Sequence, residues 1–199
     1  SLVAIGDGAS DVLQACSNEI NTLEQRLSRT IETSSVAQLN ANGSAQLDDD
    51  TAALLQAALQ YSAETGGTFD VTIAPLVELW GITGDAPRVP AQSEIDALLP
   101  LVGSEHVHLE GTAAALDEGC AIDLGGIAKG YASDKTAELF AGSGIFGGFV
   151  SLGGNVYVHG VTAEGQPWNV AIQDPRNTEA YACTLRLSDA FVVTSGGYQ

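Results

Sequence analysis

Basic residues are scarce: seven Lys and Arg face 25 Asp and Glu in 199 residues, a formal net charge of −18. Such a chain repels nucleic-acid phosphates and anionic lipid headgroups, which excludes nucleic-acid and membrane-surface binding as primary functions. The same field sets a condition on any phosphate-bearing ligand, because backbone N–H groups or a divalent cation have to offset the repulsion. Cysteine is rare too. Cys16, Cys120 and Cys183 lie far apart, match no CxxC spacing and sit in apolar contexts, so they read as buried structural thiols. No apolar run approaches the roughly 20 residues of a membrane span, and the start, SLVAIGDGASDV, lacks the pattern of a signal peptide. HExxH, GxSxG and SxxK are absent, which removes the common zinc-protease and serine-hydrolase readings.

What remains is a chain with 45% hydrophobic residues, enough to bury a sizeable core. From Ser10, Val12, Leu13, Cys16, Ile20, Leu23 and Leu27 follow helical spacing, with Ser10 or Asp11 as N-cap. A short helical turn is expected near Val36 to Leu39. Asp48, Asp49 and Asp50 then open a second helix, with Leu54, Leu55, Ala58 and Leu59 on one side, that stops at Gly66 and Gly67. Phe69 to Ile73 read as a strand running into Pro75 and a short helix ending near Trp80. GDAPRVPAQ is loop, and Ser93 with Asp96 suggests a cap for a helix through Leu101. Strands are expected at His106 to Leu109, Ala115 to Asp117 and Cys120 to Asp123, then a helix from Gly126 to Ala141. Strands dominate afterwards: Gly148 to Leu152, Asn155 to His159, Trp168 to Gln173, Ala182 to Leu187 and Phe191 to Thr194. Helices early and strands late predict an α+β fold rather than a βαβ winding.

The segment CAIDLGGIAKGYASD is the most informative for chemistry, since an apolar stretch delivers Asp123 to a Gly-Gly turn that opens a helix. Such a junction offers backbone N–H groups to an anion, with Lys129 one turn further on. A tight turn with a surface lysine explains the same residues equally well. The junction carries neither GxxxxGK[ST] nor GxGxxG, so it is no ordinary P-loop or dinucleotide crossover. Asp70, beside a glycine turn, suits a carboxylate accepting from a ribose or an amide, although these residues alone favour a turn-capping role. His106 and His108 alternate along a strand and read as surface histidines rather than zinc ligands. Trp80 and Trp168 read as packing residues.

Taken in order, GGTFDVTIAPLVELWG, AIDLGGIAKGYASD, FVSLGGNVYVHG, PWNVAIQDP and VVTSGGYQ resemble the successive signature blocks of the FAD:protein FMN transferases, the ApbE family; RLSRTIETSSVAQLN resembles an earlier block. The resemblance implies one ApbE-like, T-fold-related domain over residues 1–199, with a largely antiparallel C-terminal sheet. It implies Mg²⁺ and FAD as cofactor and substrate, and transfer of FMN to a Thr or Ser of an acceptor protein. Some relatives instead split FAD into FMN and AMP, and a non-catalytic flavin-binding module is the third reading.

By motif position, Thr68, Phe69 and Asp70 are expected to contact the flavin nucleotide and Asp123 to hydrogen-bond it. Gly126 would give its backbone oxygen to the metal, and Lys129 would face the phosphates or the flavin edge. Ser151 to Asn155 and Thr194 to Gly197 would approach the same cleft through their backbone. The family's HxxDP block and an Asp/Thr metal pair are expected beyond Gln199, so the domain reads as incomplete and this piece as inactive alone. The family's habit implies an extracytoplasmic setting, with membrane attachment through a lipid anchor only.

Overall fold

The computed structural model describes residues 1–82, 84 and 86–195. In chain order it begins with strand β1 (Leu2–Ile5), helices α1 (Ala9–Leu27) and α2 (Ser35–Asn42), and strand β2 (Ser44–Gln46). Helices α3 (Asp49–Glu64), α4 (Ala74–Trp80) and α5 (Gln92–Leu98) follow, then strands β3 (Val107–Glu110) and β4 (Ala113–Leu116). The long helix α6 (Gly125–Ser143) precedes β5 (Gly147–Leu152), β6 (Asn155–Gly160), β7 (Trp168–Asp174), β8 (Asn177–Leu187) and β9 (Ala190–Val193). Every described strand pairing is antiparallel, which makes the fold α+β as expected. Among the described residues no helix is long and apolar enough to cross a membrane.

The chain divides into two compact units, one of Ser1–Asn21 with the chain from Lys129 onward, the other of Thr22–Ala128. The first unit holds a four-stranded sheet in the order β1-β5-β6-β9 and the β7-β8 hairpin. Its core joins Val12 and Cys16 of α1 to Phe140, Ile145, Val150 and Tyr157. Burial pushes the Cys16 thiol up to about 11, so it stays protonated and inert. Cys120 is also buried, but Cys183 is exposed on β8, so the reading of three buried thiols fails there. Trp168 packs edge-on to Phe149 and donates from Nε1 to the His159 carbonyl at 2.9 Å, a packing role. Glycine is obligatory where β5 begins, because a Cβ on Gly147 would run into the Val161 carbonyl. The run Gly142 to Gly147 has the spacing GxGxxG, yet it leaves helix α6 for strand β5. A dinucleotide-binding turn runs the other way, from strand to helix.

In the second unit the buried face of the chain is Leu23, Leu27, Val36, Leu39, Leu54, Leu55, Ala58 and Ile122. Its sheet has the order β2-β4-β3. Helix α3 starts where the three aspartates predicted it, with Asp48 accepting from the Thr51 N–H at 3.1 Å. Burial pulls the Asp48 carboxyl upward, but the Thr51 hydrogen bonds and the Arg26 guanidinium leave it below its ordinary value.

Several sequence expectations are corrected. Helix α1 begins at Ala9, through a turn in which Gly6 and Gly8 carry positive φ, so Ser10 lies inside it. Phe69 to Ile73 form no strand. Asp70 caps a single 3₁₀ turn, Val71–Ile73, that leads into α4, so local capping overrides β-propensity. Cys120 to Asp123 run without a strand ladder; the Asn40 side chain supplies the partner, accepting from Ile122 N at 2.8 Å and donating to Ile122 O at 2.9 Å. Helix α5 is entered through Glu94, which accepts from the Ala91 N–H, rather than through Ser93.

Candidate functional site

Helix α3 ends at Glu64, and the next residues turn back on themselves by hydroxyl bonds: Thr65 Oγ1 donates to the Tyr61 carbonyl at 2.8 Å, and Thr68 Oγ1 to the Thr65 carbonyl at 2.9 Å. This turn presents Thr68 and Phe69 to one side. The chain then enters the 3₁₀ turn through Asp70, whose Oδ1 accepts from Thr72 N at 2.9 Å and Thr72 Oγ1 at 2.7 Å. Asp70 Oδ2 accepts from Ser62 Oγ at 3.2 Å, while Thr72 Oγ1 accepts from Gly103 N at 2.7 Å. One carboxylate therefore ties the end of α3 and the 3₁₀ turn together, and through Thr72 the loop at Gly103. The turn-capping role is the one the geometry displays.

Asp123 arrives from the other side. Its backbone N–H donates to the Val71 carbonyl at 2.7 Å, which pins the extended stretch to the 3₁₀ turn. Its Oδ1 accepts from the Gly125 N–H at 2.7 Å and its Oδ2 from Arg29 Nε at 2.7 Å. The Gly125 donor is thus occupied, and the Ile127 and Ala128 N–H groups bond to the Leu124 carbonyl. The expectation of an open row of donors at this helix start is therefore not met. Gly126 lies against the Phe69 ring: a Cβ there would come within 3.1 Å of Phe69 Cε2. Lys129, one turn along α6, is exposed.

Thr68, Phe69, Asp70, Asp123 and Gly126 line one cleft of about 390 Å³, within the size range of small-molecule sites. Phe69, Ile73, Val77 and Val102 give it apolar walls; Gly67, Gly125 and Gly126 expose backbone. A second hollow, also about 390 Å³, adjoins it and shares Gly67, Asp70 and Val102. Five of the six site residues expected from the sequence therefore converge. Arg29 was not among the expected residues, although it lies within RLSRTIETSSVAQLN; its link to Asp123 spans 94 positions and no local pattern announces it.

The other expected segments belong to the first unit. Gly153 and Gly154, at φ of 54° and 97°, form the two-residue turn between β5 and β6 that a pair of glycines favours. Thr194 donates to the Gly154 carbonyl, and both line a smaller hollow of about 200 Å³. Gly196 and Gly197 lie outside the described residues. His106 Nδ1 and His108 Nε2 both meet Asp117, at 2.9 and 2.8 Å, which accounts for the two histidines. Among the described residues no group of three His, Cys, Asp or Glu is placed to hold a metal.

A family model described as the ApbE family matches residues 2–199. The chain is 32% identical over 214 residues to the FAD:protein FMN transferase of Treponema pallidum, covering 96% of this chain and 59% of that protein. It is 35% identical over 154 residues to the transferase of the same name from Salmonella typhimurium, covering 73% of this chain and 44% of that one. Among solved structures, the ApbE protein of Thermotoga maritima superimposes with a TM-score of 0.90 at 31% identity, over 99% of this chain and 66% of that one. The flavin transferase ApbE of Vibrio cholerae does so with a TM-score of 0.85 at 26% identity, over 98% and 65%. The chain thus spans less than two thirds of the length of these relatives.

Proposed function

The chain belongs to the ApbE family, and from that premise we propose that it forms the flavin-nucleotide part of an FAD:protein FMN transferase. The observation that carries the proposal is the convergence of Thr68, Phe69, Asp70, Asp123 and Gly126 on one cleft with apolar walls and polar edges. A flat ring suits the Phe69 side, and the exposed glycine backbone at 125 and 126 lets a phosphate approach closely.

In the proposed reaction a Thr or Ser hydroxyl of an acceptor protein attacks the FMN-side phosphorus of FAD. The new P–O bond forms as the bond to the bridging oxygen breaks; AMP leaves with that oxygen and the hydroxyl proton passes to a base. Asp70 and Asp123 already hold protein donors, so their part is to fix the walls of the cleft and orient the nucleotide. Mg²⁺ belongs to the proposal as well. Of the residues in this chain the Gly126 carbonyl would hold it, together with the Asp/Thr pair expected beyond Gln199, water and ligand phosphate oxygens, in keeping with the reluctance of this ion to shed its hydration. When bound it would offset pyrophosphate charge. An extracytoplasmic setting completes the proposal.

The test is to incubate the full-length protein with FAD, Mg²⁺ and a candidate acceptor, and to weigh the acceptor by mass spectrometry. The expected result is a mass gain of one FMN on a Thr or Ser, abolished by EDTA. Free FMN and AMP without acceptor modification would replace transfer by hydrolysis.

A further inference from the structure

The cleft carries two carboxylates, Asp70 and Asp123, and among the described residues that line it no basic side chain. In a chain of net charge −18 that wall repels any ligand phosphate. Arg29 stands outside the lining with its side chain only 11% exposed, donating from Nε to Asp123 Oδ2 at 2.7 Å and from Nη1 to Glu78 Oε1 at 3.2 Å. Asp123 is itself only 19% exposed, so solvent screens this pair weakly. We propose that Arg29 is a positioning residue that holds the Asp123 carboxylate in place and cancels its charge, which makes this wall of the cleft tolerant of a phosphate-bearing flavin. The proposal rests on the flavin reading above.

One observation and one consequence of charge set this role apart from mere structural support. Arg29 and the Gly125 N–H take opposite oxygens of Asp123, so the carboxylate plane is fixed from both sides at the point where the Gly-Gly backbone meets the cleft. Removing the guanidinium leaves a weakly solvated negative charge in the wall, and its effect on a ligand depends on that ligand's charge. Loss of a purely structural contact would weaken all flavins alike.

The experiment compares riboflavin, FMN and FAD, which share a ring and differ in phosphate charge, by flavin-fluorescence titration of the full-length protein at low ionic strength without added metal. Arg29→Met should lower affinity for FMN and FAD by at least about tenfold while riboflavin stays within about twofold. Arg29→Lys, which keeps the charge, should lose less than about threefold. Thermal melts report whether each variant folds. Should Arg29→Met fail to fold, Arg29→Gln decides in its place: a loss for FMN and FAD that spares riboflavin supports the role, and a uniform loss for all three flavins overturns it. An equal loss for riboflavin, or no loss for FAD, overturns it in the single variant. Wild-type protein that takes up none of the three overturns the flavin reading itself, an outcome seen before any variant is made.

Discussion

Two aspartates that look equivalent in the sequence behave differently once their partners are known. Asp70 spends its carboxylate on near neighbours in the chain, Ser62 eight positions back and Thr72 two ahead, whereas Asp123 faces a guanidinium 94 positions away. The first is a cap and the second half of an ion pair. A third aspartate makes the pH dependence of this scale testable. Asp117 bridges His106 and His108; the hydrogen bond that His106 donates to Asp117 raises the His106 pKa above its ordinary 6.5, and those from the two histidines hold Asp117 below its ordinary 3.8. The raised histidine contributes stability that is full below 6.5 and lost as pH climbs through its shifted value; the depressed aspartate contributes stability present above 3.8 and lost as pH falls through its own. Both act together between 3.8 and 6.5. The melting-temperature gap between wild type and Asp117→Asn should therefore be widest there and shrink in alkaline buffer. NMR titration should find the His106 pKa falling toward 6.5 in the variant; an unchanged value would refute the bridge.

Among the elements, the stretch from Cys120 to Asp123 depends on a single side chain. Asn40 gives Ile122 both bonds that a neighbouring strand would give, and Ile122 is only 1% exposed, so water cannot replace them. Asn40→Ala should cost about 2–4 kcal/mol, the penalty of two buried backbone groups left without partners. Urea denaturation measures the loss, and amide exchange at Ile122 should accelerate; a cost below about 1 kcal/mol would show that the stretch holds itself. The same contact explains what was legible in the sequence. Apolar spacing placed α1, α3 and α6 and alternation placed β5, β6 and β7, because those signals reside within each segment. The strand expected at Cys120 to Asp123 does not form because extended backbone is a local property while a ladder needs a partner, and here the partner is an amide 82 positions upstream. Phe69 to Ile73 failed for the opposite reason: the cap at Asp70 is local but competes with β-propensity, and the sequence does not say which wins. Asp70, Asp123 and the Gly-Gly turn were legible from their local setting, while Thr68 and Phe69, and the grouping of all of them at one site, came through family motifs. Arg29 was not legible, since only folding brings it to Asp123.

Charge is the property of the whole molecule that a solution measurement reaches most directly. With 25 acids against seven Lys or Arg, negative charge is in large excess, and its self-repulsion acts over distances that salt controls. The Debye length falls from about 30 Å at 0.01 M to about 8 Å at 0.15 M, so added salt first silences the long-range repulsion between acids. It also weakens exposed pairs such as Arg88 with Glu94 and Arg26 with Asp50. Exposed pairs contribute little, and seven basic residues allow few of them, so the loss is small beside the repulsion removed. Melting temperature should therefore rise with sodium chloride, by about 2–8 °C between 0.01 and 0.3 M, which corresponds to about 1–2 kcal/mol in a domain of this size. Differential scanning fluorimetry checks the sign, and the rise should flatten once the Debye length falls below the spacing of neighbouring acids. A melting temperature that falls with salt would mean that local ion pairs outweigh the net field. The Arg29–Asp123 pair would then have to be counted among the chief supports of the fold, and its substitution would unfold the protein before it altered any ligand.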